Sequence, residues 1–267
     1  MNILGIETSC DETAAAVVAE GKTILTSTVA SSSDFFKKYG GVVPEIAARK
    51  QVEYMTPVLS ETMQGFSKDD IDAIAVTVGP GLIGSLLVGV ETAKTLSMVW
   101  NKPIIPVNHV LAHMYANFIN SYKQEEIGKK NEKSLVASRL LPIAFPAISL
   151  VVSGGHTELY LMKNERELTW IGGTLDDAAG EAFDKTARLL GFENRGGAAI
   201  EEAASKFKIT NDKLQIHLPR PMLHDHTLNF SFSGLKTAVM REWKKYSTAI
   251  SEKQEAIMEV ILATNLT

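Results

Sequence analysis

His109 and His113 are the first residues whose type and spacing could do chemistry. At i and i+4 of a helix they lie on one face, close enough to share a metal ion. The bland alternative is a pair that only caps or packs. Zinc proteases carry a glutamate general base directly after the first histidine of such a helix; here that place holds Val110, which disfavours peptide hydrolysis. A second candidate is Ile148-Ser-Leu-Val-Val-Ser-Gly-Gly-His-Thr157, an apolar run ending in glycines. A strand entering such a turn could present backbone N–H groups to a phosphate or a mixed anhydride, with Gly154 and Gly155 free to take positive φ. Two glycines after a strand are equally compatible with a plain tight hairpin. A third candidate is the segment Ala178 to Ala187, carrying Glu181, Asp184 and Lys185. Charges on a helix ordinarily form a solvated face. Asp184 gains interest because Gly180 should leave the adjoining turn open, and because Arg195-Gly-Gly-Ala-Ala-Ile200 opens a further helix whose first N–H groups suit an anion.

The elements that must position these residues follow from local pattern. Asn2 to Glu7, Ala14 to Ala19 and Thr23 to Val29 read as strands. Pro44 suits a first helical turn, and Ile46, Ala47, Met55, Val58, Leu59 and Met63 give a helix of roughly five turns with one apolar face. Ala73 to Val78 is a buried strand. Gly79-Pro-Gly-Leu-Ile-Gly84 then leads to the apolar helix Leu86 to Trp100, and Ile104 to Val107 is a further short strand. Asn108 is a natural N-cap for the helix that carries the histidines. Strands alternating with helices argue an α/β architecture. Two segments, Asn2 to Ala19 and Ile148 to Met162, share the order strand, polar or glycine turn, strand, as two duplicated lobes would. Ser121 to Leu141 mixes lysines and glutamates without period and reads as a charged surface insertion. Leu235 to Lys245 is basic, with His224 and His226 upstream, and is the best local candidate for a phosphate-backbone contact. Glu252 to Leu266 has the pattern of an amphipathic helix.

Composition bounds the class. At 267 residues, 45% hydrophobic and 22% charged, with net charge -4, the chain has an ordinary globular make-up and enough length for a sizeable core. Residues 1–110 carry 8 Lys and Arg against 12 Asp and Glu, and residues 111–267 carry 19 against 19, so no global basic field recruits nucleic acid. A single cysteine, Cys10, excludes an intramolecular disulfide. No apolar run approaches the roughly 20 residues that span a bilayer, and no signal-peptide pattern opens the chain, so the expectation is a cytoplasmic protein without membrane contact.

In combination, Gly5-Ile-Glu-Thr-Ser-Cys-Asp-Glu-Thr13, Tyr39-Gly-Gly-Val-Val-Pro-Glu45, Gly79 to Gly84, His109 to His113, Val152-Ser-Gly-Gly-His-Thr157, Asp176 to Thr186 and Phe230-Ser-Phe-Ser-Gly-Leu-Lys236 resemble the TsaD family. These are the tRNA N6-adenosine threonylcarbamoyltransferases, once described as O-sialoglycoprotein endopeptidases. The resemblance implies a two-lobed, actin-like ATPase fold built from duplicated ribonuclease-H-like units, with lobes 1–107 and 108–267 and the insertion at 121–141. It implies transfer of a threonylcarbamoyl group from threonylcarbamoyl-AMP to the adenosine 3′ of the anticodon in tRNAs reading codons that begin with A. Partners would be tRNA, a paralogous TsaB-like subunit and a TsaE-like ATPase. By motif position, His109 and His113 would hold one divalent metal per subunit, Fe(2+) before Zn(2+). Val151, Val152, Ser153, Gly154 and Gly155 would cradle the intermediate, Asp184 and Gly197 would meet the nucleoside, and Glu12 would be a catalytic acid of the facing loop.

The chain departs from the pattern at Arg195 and Ala198, where family members place prolines, and in its longer insertion. The family pattern also continues with a Gly-Gly-x-x-x-Asn nucleotide loop and a metal-binding aspartate that have no counterpart here. The expectation is a C-terminally truncated chain, with incomplete closure of the second lobe and no activity alone. The rival readings are a non-catalytic scaffold partner of the same fold, which would lack the metal histidines, and a metalloprotease.

Overall fold

In a computed structural model of the chain, residues 1–36, 39, 41–121, 143–192, 196–205 and 218–247 are described. Arg195, nearly all of the charged insertion and the C-terminal amphipathic segment 252–266 lie outside them. The chain divides into two compact units, Met1–Ile143 and Ala144–Thr267.

The first unit is built on strands β1 (Asn2–Glu7), β2 (Glu12–Ala19), β3 (Thr23–Ser31), β4 (Ala73–Gly79), β5 (Ile104–Asn108) and β6 (Asn120–Ser121), in the order β5-β4-β1-β2-β3-β6. β1, β2 and β3 form an antiparallel meander, whereas β4 runs parallel to β1 and β5 parallel to β4. A short helix, α1 (Ser33–Phe36), follows the meander. Helices α2 (Pro44–Thr62) and α3 (Ile83–Trp100) pack on the sheet and on each other. Leu4, Ile6, Val17, Met55, Val58, Ile74, Val76 and Ala93 form the core between these layers. This is the ribonuclease-H-like order expected of a lobe. α4 (His109–Tyr115) follows β5 directly.

The expected boundary after residue 107 falls inside this unit. β5 pairs with β4 along its length, α4 packs on β4 and β5, and the chain then returns so that β6 pairs with β3. The segment carrying both histidines therefore belongs with the first sheet.

The second unit opens with the antiparallel sheet β7 (Ala147–Val152), β8 (Thr157–Met162) and β9 (Leu168–Gly173), which repeats the meander of β1 to β3. Helices α5 (Ala179–Leu189), α6 (Gly196–Ser205) and α7 (Ser233–Ser247) follow, with Ala187, Leu190, Ile200, Ala204, Leu218 and Val239 as their common core. Before α7, Phe230 makes only an isolated bridge with Thr174 rather than a strand. Asp176 accounts for this: its carboxylate accepts from the N–H groups of Phe232 and Ser233 and from Ser231 Oγ, which turns the chain into the start of α7. Asp177 ties α5 to α7 by accepting from Lys185 at 2.7 Å and Lys236 at 3.0 Å.

One buried polar side chain organises the first unit. Gln51, fully buried on α2, donates its Nε2 to the carbonyls of Thr8, Cys10 and Glu12 at 3.1, 2.9 and 3.2 Å. Since carbonyls only accept, they fix which end of the amide faces the turn. Gln51→Leu keeps the volume but strips these carbonyls of a donor, and should lower unfolding stability by about 2–4 kcal/mol in urea denaturation. A midpoint unchanged from wild type would show that the turn is held by other contacts.

Candidate functional site

Parallel strands bring their carboxyl ends to one edge, where α/β sheets place their ligands. Here the ends of β1, β4 and β5 carry Glu7, Thr77 and Asn108, and His109 follows at once. Asn108 caps α4 as expected, its side chain accepting from the N–H groups of Val110 at 2.9 Å and Leu111 at 3.1 Å. His109 is thus anchored at the sheet edge, and His113 stands one turn further on. Their Nε2 atoms are 3.1 Å apart. Val110 and Met114 are buried, so the place of a protease's general base is taken by a core residue. A cavity of about 640 Å³ lies beside the pair, with Glu7, Thr77, Asn108, His109 and His113 among its lining residues.

The back of the pair is polar. His109 Nδ1 meets Ser9 Oγ at 3.1 Å and Glu7 Oε2 at 3.4 Å. Glu7 also accepts from the Ser9 N–H and from Thr77 Oγ1. Burial pushes the Glu7 carboxyl up, but the hydrogen bonds from His109, Ser9 and Thr77 outweigh it and hold the group at about 2. Ionised, it can only accept. A proton on Nδ1 of His109 would meet that acceptor and leave Nε2 as the lone-pair nitrogen facing His113.

The turn between β1 and β2 supplies Ser9. Every one of its carbonyls from Thr8 to Glu12 is held: Gln51 takes three, the Leu82 N–H takes Ser9 at 2.8 Å, and Ser32 takes Asp11. Glu12 itself opens β2 with an exposed side chain. The carboxylate that reaches His109 is Glu7, which the sequence pattern marks only as the end of a strand. The signal for it is topological: the last residue of a strand lying next to, and parallel with, β4.

In the second unit, Val151 is buried and Val152 exposed at the end of β7, and Ser153 to His156 form the turn. Ser153 closes it on itself. Its N–H donates to the His156 carbonyl at 2.8 Å, and its Oγ accepts from the N–H groups of Gly155 and His156. Two of the amides expected to face an anion are thus engaged inside the turn. Gly154 and Gly155 are not among the glycines of positive φ, and a Cβ at either would meet open space. Their smallness leaves the outer side of the turn accessible.

Gly180 does not leave that turn open, as the sequence suggests; it sits directly against it. Its N–H donates to the Ser153 carbonyl at 3.1 Å, and a Cβ there would come within 2.6 Å of the same oxygen. The start of α5 is therefore seated on the glycine turn, with the Ala179 N–H donating to Thr157 Oγ1. One turn along α5, Asp184 Oδ1 accepts from the Gly196 N–H at 3.1 Å, at the start of α6, and Gly197 is the next residue. The structure brings the 153–156 turn, Asp184 and Gly197 onto one continuous run of backbone contacts. His109, His113 and Glu7 form a second cluster in the first unit. Among the described residues, no group of three or more His, Cys, Asp or Glu side chains is arranged to hold a metal.

A family model for TsaD, tRNA N6-adenosine threonylcarbamoyltransferase, matches residues 23–127 and 132–266. A tRNA N6-adenosine threonylcarbamoyltransferase of Thermomicrobium roseum is 50% identical over 248 residues, covering 92% of this chain and 63% of the relative. Those of Bacillus subtilis (50% identical, 90% and 63% covered) and Syntrophomonas wolfei (46%, 99% and 74%) are similar. The chain therefore spans about two thirds of the length of these relatives. Among solved structures, YeaZ from Pseudomonas aeruginosa is 17% identical over 63% of each chain, with a TM-score of 0.38.

The contact between α5 and α6 is open to test. A Cβ on Gly196 would lie 2.5 Å from the Asp184 Cα, a clash with backbone rather than with a movable side-chain end. Gly196→Ala should destabilise the protein more than Asp184→Ala, which removes one helix-start acceptor at a cost of about 1 kcal/mol. Thermal unfolding of both variants checks the order, and equal melting points would contradict it.

Proposed function

The chain belongs to the TsaD family of tRNA N6-adenosine threonylcarbamoyltransferases, and on that premise we propose that it serves in forming threonylcarbamoyl-adenosine in tRNA. In this reading, N6 of the adenosine 3′ of the anticodon attacks the carbamoyl carbon of threonylcarbamoyl-AMP. The bond to the phosphate oxygen breaks, AMP leaves, and N6 loses a proton.

The observation that carries the proposal is the convergence of the two histidine Nε2 atoms, 3.1 Å apart. Cis donors on one metal stand about 2.9–3.4 Å apart when each bond is about 2.0–2.1 Å. Imidazole pairs suit Fe(2+) and Zn(2+), so His109 and His113 fit one such ion, with remaining positions left to water or substrate. Bound there, the ion would supply Lewis-acid polarisation of a carbonyl or phosphoryl oxygen. This chain's residues provide the rest: Glu7 and Ser9 face Nδ1 of His109, and the 640 Å³ cavity beside the pair has a largely apolar wall. In the second unit, Val151 to Gly155 would carry the acyl-adenylate, with open space beside Gly154 and Gly155 for close approach. Asp184 and Gly197 would line the nucleoside end. Glu12, exposed at the start of β2, would act on the reacting groups.

The proposal extends to partners and place: tRNA as acceptor, a paralogous TsaB-like subunit, a TsaE-like ATPase, and the cytoplasm. Exposed apolar residues on α3, with Ile83, Leu87 and Met98 at 77%, 50% and 80% exposure on either side of the Glu91–Lys94 ion pair, support a protein partner. No helix among the described residues is long and apolar enough to cross a membrane.

Metal content and product formation test the reading together. The purified chain should carry about one transition metal, and His109→Ala or His113→Ala should remove it, because each takes away one of the two imidazole donors this chain supplies. Supplied with partner subunits, threonylcarbamoyl-AMP and tRNA, the same variants should form no threonylcarbamoyl-adenosine by mass spectrometry of digested tRNA. Full metal content in both variants would overturn the assignment of the centre.

A further inference from the structure

Glu7 is a half-buried carboxylate at the sheet edge that the family motifs leave without a role, yet its environment is built for one. It lies at the end of the central strand β1, and both its oxygens are engaged. Oε1 accepts from the Ser9 N–H; Oε2 accepts from Thr77 Oγ1 and faces His109 Nδ1 at 3.4 Å. Ser9 Oγ lies 3.1 Å from the same ring nitrogen. A metal-ligating histidine is ordinarily oriented by an acceptor on its other nitrogen, which fixes the tautomer and raises the basicity of the ligating one. The arrangement here has that form, and it is present in the fold before any ion is bound.

Resting on the assignment of His109 and His113 as metal ligands, we propose that Glu7 is the positioning residue of this centre. Its carboxylate and the Ser9 hydroxyl hold the proton of His109 on Nδ1 and so aim Nε2 at the ion. Glu7 acts through His109 and does not itself ligate.

The rigidity of the support makes the assignment specific. Thr77 is 4% and Ser9 4% exposed, and neither can swing away without breaking the packing around it. Ser9 is held by the Leu82 N–H from the start of α3, while its neighbours Thr8 and Cys10 are held by Gln51 from α2. Three elements distant in sequence thus set the distance between Glu7 and His109. Glu12, by contrast, has an exposed side chain beyond the turn.

The full chain is prepared metal-free as wild type, Glu7→Gln, Ser9→Ala and His113→Ala. Nitrogen-15 correlation spectra of the histidine rings should show His109 protonated on Nδ1 in the wild type and a mixed or reversed tautomer in Glu7→Gln. Chelator competition with Co(2+) alone as the probe, read by its visible absorption, should show affinity about 10- to 100-fold weaker in Glu7→Gln, less weakened in Ser9→Ala, and lost in His113→Ala. Gln keeps one oxygen for the Ser9 N–H, and its Nε2 can donate to the Thr77 hydroxyl, so Glu7→Gln should fold; if it does not, the wild-type tautomer alone decides. A wild-type His109 protonated on Nε2, or Glu7→Gln with wild-type affinity and tautomer, overturns the role of Glu7. Wild-type Co(2+) binding by His113→Ala instead overturns the metal assignment, and the tautomer measurement then judges Glu7 independently.

Discussion

A single buried amide, the Nε2 of Gln51, holds the β1–β2 turn, and the geometry of the first unit's polar cluster depends on it. Three carbonyls from one short turn accept from the same side chain, reaching it from α2 across the sheet layer. Without that donor the Thr8 and Glu12 carbonyls would lose their side-chain partner and Cys10 would keep only the Ser85 hydroxyl, a cost that the fold avoids by committing a polar residue to its core. The consequence runs outward. A fixed turn places Ser9, a fixed Ser9 and Thr77 place the Glu7 carboxylate, and Glu7 orients the ring that faces His113. The histidine pair is preorganised by contacts that reach back from the sheet edge to α2.

The second unit solves a different positioning problem with backbone alone. Its glycine turn is closed internally by Ser153, and the start of α5 is laid against it through the Gly180 N–H. Asp184 then captures the first N–H of α6. The helix starts and the turn are locked together by close approaches that a Cβ at Gly180 or Gly196 would prevent. What remains accessible is the outer side of the turn at Gly154 and Gly155. The two units thus reuse one strand-turn-strand element, once with a side-chain clamp and once with glycine contacts.

Much of this was legible locally. The i and i+4 histidines and the Asn108 cap depend on residues within one turn of each other, and sequence spacing is enough to place them. Strands β1, β4, β7 and β8, and helix α2, begin and end within a residue or two of where alternation and the Pro44 signal put them. What spacing could not show was any contact made across the sheet. Gln51 reads as one more polar residue on an amphipathic helix, and Glu7 as a strand end, because their partners lie 41 and 102 residues away. The glycines were legible as important but not for the right reason: Gly180 is small because a carbonyl lies against it, not to open the turn. The return of the chain to pair β6 with β3 is likewise decided by topology rather than by any break in composition.

The proposed centre is one arrangement: an ion held by both histidines, with Glu7 behind His109 rather than on the metal. Anomalous diffraction from crystals of the chain loaded with Zn(2+), collected on both sides of the absorption edge, locates the ion directly. The expected result is one peak about 2.0–2.1 Å from His109 Nε2 and His113 Nε2, with the Glu7 carboxylate still on Nδ1 of His109. A peak bonded to Glu7, or one that leaves the two histidines without an ion between them, would contradict it.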